Sequence, residues 1–389
     1  MRVAIVAESF LPNVNGVTNS VLRVLEHLHA NGHEAIVIAP GARPGQEEIP
    51  DYLGYRIERV PTIKVPLINS LPIGVPRPTV TKIIHDFQPD VVHLASPFVL
   101  AAAGAFSART LDIPCVGVYQ TDVAGFANNY RLSLLSKAAW RWTRYIHNIC
   151  HRTLAPSTET IESLEAHGVK NIYRWGRGVD AVRFHPSKRS DALRTLWNPT
   201  GKKKIVGFVG RLAAEKSVDR LASLSGRDDI QLVIVGDGPE REALTELMPD
   251  AVFTGALHGE ELARAYASLD VFVHAGQYET FCQAIQEALA SGVPSIGPLA
   301  GGPRDLIRPG VDGDLLEVAT FKEDLPAAVE RIIDPENYPA MAAAARESIR
   351  TKTWEAVCNQ LMTHYEEVIE IAKPGWRAEL LRPFARSAA

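Results

Sequence analysis

Cysteine is scarce. The four thiols, Cys115, Cys150, Cys282 and Cys358, stand far apart and form no C-x-x-C pair. That speaks against a disulfide framework and predicts reduced, mostly buried thiols in a cytosolic protein. Long apolar runs are missing too. No stretch approaches the roughly 20 residues that span a bilayer, and Val3–Ala7 offers only five apolar residues before Glu8, too few for a signal peptide. Charge of one sign is absent: the net value of −4 argues against nucleic acid as a partner. There is no G-x-G-x-x-G dinucleotide fingerprint, no H-E-x-x-H, and no G-x-S-x-G nucleophile elbow. The twelve histidines show no zinc spacing. Asp312-Gly-Asp314 is formally D-x-D, but it follows Pro309-Gly310 and precedes Leu315-Leu316, so it reads as a turn before a strand. Neither a metal nor another cofactor is expected.

What is present is ordinary globular composition, 46% hydrophobic and 22% charged, in a chain of 389 residues long enough for two domains. Apolar runs alternate with helical patterns in both halves, the α/β signature of parallel sheets. Strands are predicted near 2–7, 34–39, 90–94, 114–119 and 152–156, then 204–210, 231–235, 251–254, 270–274 and 294–297. A helix over Ser20–Ala30 turns Val21, Leu22, Leu25 and Leu28 inward. Five prolines break the rhythm between residues 60 and 80, marking an irregular excursion. Gly- and Pro-marked residues around 175–200 read as an interdomain connection.

The richest stretch is 274–292, HAGQYETFCQAIQEALASG. After a short buried strand, Glu279 and Glu287 stand eight apart with Phe281-Cys282 between them. Ala284, Ile285, Ala288 and Leu289 recur at helical period, and Ser291-Gly292 with Pro294 stops the helix. A helix starting near Phe281 leaves Glu279 in the loop before it. It puts Glu287 on the second turn, sharing with Gln283 the face turned away from the packed one. Free N–H groups at such a helix start attract a phosphate, and a carboxylate further down can accept from a ribose diol. A solvated surface glutamate is the plainer alternative.

With Ala-Ser-Gly-Val-Pro behind it, this E-x7-E pattern resembles the signature of the GT-B retaining glycosyltransferases of family 4, where a Phe-Gly pair is common at the position of Phe281-Cys282. The resemblance covers nearly the whole chain. It implies an α/β fold of the GT-B type, two Rossmann-like domains facing across a cleft. Residues 1–180 would form the acceptor-side domain, 181–200 the linker and 201–354 the nucleotide-sugar-binding domain. Residues 355–389, a helix and basic tail, would cross back to the first domain. Gly210-Arg211-Leu-Ala-Ala-Glu215-Lys216, at the end of a strand and opening a helix, matches the family's G-R-L-x-x-E-K. It implies that Arg211 and Lys216 clamp a diphosphate, Arg as a fork and Lys as a point charge. Asn15-Gly16-Val17 resembles the family's G-G-V loop near the donor, with Asn15 in place of the first glycine. Gly236-Asp-Gly-Pro239 resembles a turn that shapes the nucleotide pocket, and Leu257 lies where the family's base-binding loop falls. Val118-Tyr119-Gln120-Thr121-Asp122 carries Gln120 where many relatives have a histidine against the transferred sugar. Gln cannot titrate, and Asp122 is the nearest titratable replacement, with a helix-capping role as its alternative.

Together with Trp-Gly-Arg-Gly-Val-Asp at 175–180, that stretch is most similar to the actinobacterial GDP-mannose-using α-mannosyltransferases of glycolipid synthesis. The implied activity is retaining transfer of a sugar, mannose from GDP-mannose, to a lipid-linked acceptor without a metal. A UDP-sugar lipid transferase of glucosyl or sulfoquinovosyl type, or a nucleotide-sugar-binding protein without turnover, are the alternatives. Residues 133–152 interleave Trp140, Trp142 and Tyr145 with Lys137, Arg141 and Arg144. Such a helix, and the basic tail from Lys373, suit peripheral contact with an anionic membrane on the cytoplasmic side or, alternatively, plain packing.

Overall fold

Apolar runs without internal alternation, such as Val3–Ala7 and Ile205–Val209, suit strands buried on both faces of a parallel sheet. The computed structural model describes residues 1–42, 46–63, 73–74, 78–120 and 133–372. The chain divides into two α/β units. One holds Met1–Pro156, Thr160–Trp175 and the chain from Cys358, and the other holds Ser157–Glu159 and Gly176–Val357.

The first unit's strands are β1 (Arg2–Ala7), β2 (Glu34–Pro40), β3 (Asp51–Tyr52), β4 (Tyr55–Val60), β7 (Val91–Ala95), β8 (Cys115–Val118), β9 (Arg152–Ala155) and β10 (Ile172–Arg174). They pair in the order β10-β9-β8-β7-β1-β2-β4-β3, parallel except for β3. A separate two-stranded pair joins β5 (Thr62–Ile63) and β6 (Ile73–Gly74). β4 and β10 went unpredicted because YRIERV mixes charge with apolar residues and β10 is only three residues long. The first helix, Gly16–Ala30, starts earlier than its apolar period implies, because Asn15 caps it. Val24 joins Val21, Leu25 and Leu28 inside, while Leu22 is only partly covered. The final helix, Trp354–Ala372, is held to this sheet by its second half. Tyr365 Oη and His93 Nδ1 meet at 2.6 Å, and Glu367 pairs with the buried Arg152.

The second unit's sheet comprises β11 (Lys204–Val209), β12 (Ile230–Val235), β13 (Val252–Gly255), β14 (Val271–Val273), β15 (Ser295–Pro298) and β16 (Gly313–Leu316). All six are parallel, in the order β13-β12-β11-β14-β15-β16. Period-2 alternation feeds two cores. Ile205, Val209, Val233 and Phe272 pack on one face, Val206, Phe208, Ile234 and Val271 on the other.

Residues 181–200, expected as a linker, are instead grouped with the second unit. They contain the helix Asp191–Trp197. Buried Asp270 accepts from Arg189 Nη2 (2.9 Å), Arg194 Nη2 (3.0 Å) and the Ile205 N–H (2.7 Å). Burial works against its charge, yet the Ile205 N–H and the two guanidiniums hold its carboxyl below the usual range. Arg346 adds bonds to the carbonyls of Ala181, Phe184 and Ala290. Arg189 and Arg194 tie this segment to Asp270.

Candidate functional site

Open α/β sheets present ligands beyond the carboxyl ends of their strands, where the strand order reverses. In the second unit that reversal falls between β11 and β14, which pair through Val206 and Val271. The loop after β11 carries Arg211 and Lys216, and the loop after β14 carries His274 and Glu279. The two loops touch backbone to backbone: a Cβ at Gly276 would come within 2.9 Å of Glu215 O, and Arg220 Nη1 donates to Ala275 O at 3.1 Å.

The segment after β11 is not the expected α-helix. Two 3-10 turns, Ala214–Lys216 and Val218–Leu224, follow one another through Ser217, which takes a left-handed conformation. Gly236 supports this loop from β12. Its φ is 146°, and a Cβ there would lie 1.8 Å from Gly210 O, so only glycine allows so close an approach. Leu212 bonds across the same turn, its N–H donating to Asp237 O at 2.9 Å. Leu257 packs against the core cluster that includes Val209 and Val235.

Lys216 is paired with Glu279, a partner 63 residues away, rather than with its neighbour Glu215. Burial disfavours both charges, but their mutual attraction prevails: the lysine is raised and the carboxyl lowered. Arg177 adds a second positive charge near Glu279. Arg211 is exposed, and among the described residues no ion pair engages it.

The helix expected near Phe281 begins at Gln283 and ends at Ala290. Cys282 is its N-cap residue, with φ of 70° and no side-chain capping bond. A left-handed backbone at this point is the physical reason a glycine suits it, and Cys282 carries a strain of ~1–2 kcal/mol there. Its thiol and the Phe281 ring are buried, and burial pushes the thiol well above its usual range, so it is no nucleophile. Cys282 makes no capping bond of normal geometry, although the Ile285 N–H lies near its sulfur, and a helix start of this kind attracts anions.

Glu287 is not the solvated surface residue of the plainer alternative; it is half-buried, and the Tyr266 hydroxyl donates to it. Gln283 likewise turns back, its Nε2 donating to Gly178 O at 3.1 Å. Burial pushes the Glu287 carboxyl up to about 7, against the Tyr266 hydrogen bond and the nearby Arg183.

In the first unit the order reverses between β1 and β7. Asn15 Oδ1 accepts from the Val17 and Thr18 N–H groups, both at 3.0 Å, so its side chain is taken up as a helix cap, and Gly16 behind it is exposed. Gln120 follows β8, is 8% exposed, and its Oε1 has no partner among the described residues. Asp122 and the basic tail lie outside the described residues. Glu8 was not anticipated. Its Oε1 accepts from the N–H groups of Phe98, Val99 and Ala101 at 2.9, 2.6 and 3.0 Å, filling the start of helix Leu100–Thr110. Its position directly after a buried strand was the only signal. Tyr266 and His274 were equally silent, one within a helical pattern and one at a strand end. Of the D-x-D pair, Asp312 is buried against Arg308 and Asp314 lies in β16 paired with Arg331.

A titration tests the Glu287 environment. In the chain labelled with ¹³C at glutamate carboxyls, one signal should titrate near pH 7 and vanish in Glu287→Gln. Tyr266→Phe removes a donor to the carboxylate and should move that midpoint higher still. A midpoint below about 5 would mean the carboxylate is open to water.

Residues 14–183 match the family described as Glycosyltransferase Family 4, and residues 190–348 match Glycosyl transferases group 1. A Corynebacterium glutamicum protein named GDP-mannose-dependent alpha-mannosyltransferase is 65% identical over 96% of this chain and 90% of its own. The Mycolicibacterium smegmatis protein of that name is 56% identical over 95% and 98%. A sulfoquinovosyl transferase of Arabidopsis thaliana is 32% identical over 92% and 72%. Among solved structures, sucrose-phosphate synthase from Thermosynechococcus elongatus superposes with a TM-score of 0.73 at 19% identity, covering 95% of this chain and 99% of that one. Two Rossmann-like sheets, the switch-point loops and these matches together make the chain a member of glycosyltransferase family 4 with the GT-B fold.

Proposed function

We propose that this protein moves mannose from GDP-mannose, with retention at the anomeric carbon, onto a lipid-linked acceptor at the cytoplasmic face of a membrane. The observation that carries the reading is the switch-point group of the second unit. Arg211 stands unpaired among the described residues, Lys216 faces Glu279, and an uncapped helix start lies beside them. That group occurs in a chain whose extensive relatives bear the name GDP-mannose-dependent alpha-mannosyltransferase.

Arg211, Lys216 and the N–H groups ahead of Gln283 would bind the donor's diphosphate. Glu287, held by Tyr266, would accept from the ribose hydroxyls, with Gly236 and Leu257 shaping the nucleotide pocket. Glu279 would face the sugar, and Phe281 and Cys282 would shape the turn between the two acids. As the glycosidic bond breaks, the electron pair passes to the β-phosphate oxygen and an oxocarbenium-like sugar forms. The cations stabilise the growing phosphate charge, a role that needs no metal. The acceptor hydroxyl attacks on the face the nucleotide leaves, and the departing phosphate takes its proton. No enzymic base is then required, in keeping with Gln120, which cannot titrate. In the first unit, Asn15 and Gly16 would approach the donor, and Gln120 with Asp122 the transferred sugar.

The lipid side rests on a surface patch. Phe106, Trp142 and Tyr145 are 37%, 38% and 51% exposed, with ring centroids 6.0–6.4 Å apart. Lys137, Arg141 and Arg144, also exposed, lie on the helix Ser133–Ile149 that carries Trp142 and Tyr145. Aromatics that seat in an interface beside cations suit an anionic bilayer.

A donor panel tests the reading. Thermal shift and turnover should favour GDP-mannose over UDP-glucose and UDP-glucuronate, and preference for a UDP-sugar would overturn the donor assignment. Arg211→Ala and Lys216→Ala should each lower kcat by roughly 10²–10³, about 3–4 kcal/mol, with activity unchanged by EDTA. A raised KM at normal kcat would make that cation a mere donor anchor. Binding to vesicles should rise with anionic lipid, fall with salt, and drop in Trp142→Ala/Arg141→Glu. Equal binding to neutral and anionic vesicles would remove the patch from the account.

A further inference from the structure

His274 is the first residue beyond β14, and it stands behind Glu279. It is 2% exposed, and its main-chain N–H is bound to Ile296 O at 2.9 Å. Its ring lies nearly parallel to Phe208, at an interplanar angle of 19°. Neither ring nitrogen has a partner at good hydrogen-bond geometry among the described residues, the nearest polar neighbours being the Gly276 main chain and Glu279. A neutral imidazole carries one donor and one acceptor, and burying both unpaired is costly. Burial keeps the ring neutral, pushing its pKa down to about 4 against the pull of Glu279.

The orphaned ring has an address. Nε2 lies 3.5 Å from Glu279 Oε1, just beyond good hydrogen-bond length, and that same oxygen is the one Lys216 holds. The loop closes tightly over the ring, since a Cβ at Gly276 would come within 3.3 Å of Nε2. Lys216 engages that oxygen, and in the Nε2–H tautomer the neutral ring would bring a second donor to it. A diphosphate competing for Lys216 would deprive the part-buried Glu279 of the cation bonded to it, leaving Arg177 as the neighbouring charge, a less favourable state. A shift of well under 1 Å would bring the His274 N–H into bonding range of that oxygen.

We propose that His274 is a positioning residue that takes over Glu279 from Lys216 when a nucleoside diphosphate binds, keeping the carboxylate ionised and in place while the lysine turns to phosphate. This rests on the nucleotide-sugar reading of the same site. The role is distinct from holding the fold, because it exists only when both Lys216 and a diphosphate are present.

The test uses the full chain, ¹⁵N-labelled at histidine, with the His274 ring signals assigned through His274→Gln and GDP as the probe. GDP should move those signals toward a hydrogen-bonded Nε2–H. Lys216→Met should show them already shifted without GDP, its Glu279 being free from the start. In calorimetry His274→Leu should weaken GDP binding about tenfold, the scale of a hydrogen bond to a charged group. In the Lys216→Met background the same change should cost less than about twofold, because the handover no longer exists there. His274→Gln, which keeps an N–H, should recover most of the loss. Ring signals unmoved by GDP that does bind, or an equal loss in both backgrounds, would overturn the handover alone. Failure of GDP to bind the unaltered protein would overturn the nucleotide-site reading and the handover with it.

Discussion

The parallel pairing of β11 with β14 is the constraint on which the second unit depends. β11 ends at Val209 and β14 begins only at Val271, yet they lie side by side, with β12 and β13 flanking one and β15 and β16 the other. Every strand ends on the same side, so the loops after β11 and β14 meet without any attraction of their own. The Lys216–Glu279 pair is a consequence of that register. Asp270 secures it one residue before β14, accepting from the Ile205 N–H on the neighbouring strand and from two guanidiniums on the preceding segment. A buried carboxylate with three donors is expensive to disturb, because removing any partner leaves charge without compensation.

Around that pairing, glycines set how closely the backbones approach. Gly236 against Gly210 and Gly302 against Phe281 allow contacts no side chain would tolerate, a Cβ at Gly302 falling 2.2 Å from Phe281 O. The Gly302 N–H donates to Glu279 O at 2.7 Å, so the acid-bearing loop is held from behind by β15's own turn. The backbones of these loops are closely fitted to one another, and Arg211 and Lys216 extend from them as long side chains. In the proposed reaction such fitting would favour a leaving phosphate, since donors that must reorganise during the reaction lose most of their worth.

The first unit repeats the topological device with a different filling. Its switch point lies between β1 and β7, and there the protein's own Glu8 occupies the helix start that a ligand phosphate takes in other folds of this kind. Its anion site is satisfied internally by the protein's own carboxylate.

Local chemistry was legible in the sequence because it depends on near neighbours. Apolar runs located ten strands, Gly-Pro punctuation placed the stop of the Gln283–Ala290 helix, and the motifs around Arg211, Lys216, Glu279 and Glu287 pointed to the family. What the linear chain could not convey was contact between distant residues and its electrostatic effect. Nothing near Lys216 singles out Glu279 over Glu215, and nothing near Glu287 announces the Tyr266 hydroxyl that makes it a half-buried group rather than a solvated one. The segment 181–200 looks like a linker until Asp270 supplies the partner for its arginines. Cys282 looks like a conservative oddity until its φ of 70° shows why a glycine suits that turn. Periodicity and caps act over a few residues, so sequence alone determined the elements and the family. Pairing, burial and the direction of each titration arise only when strand order brings remote side chains into one low-dielectric place, and those the tertiary structure decided.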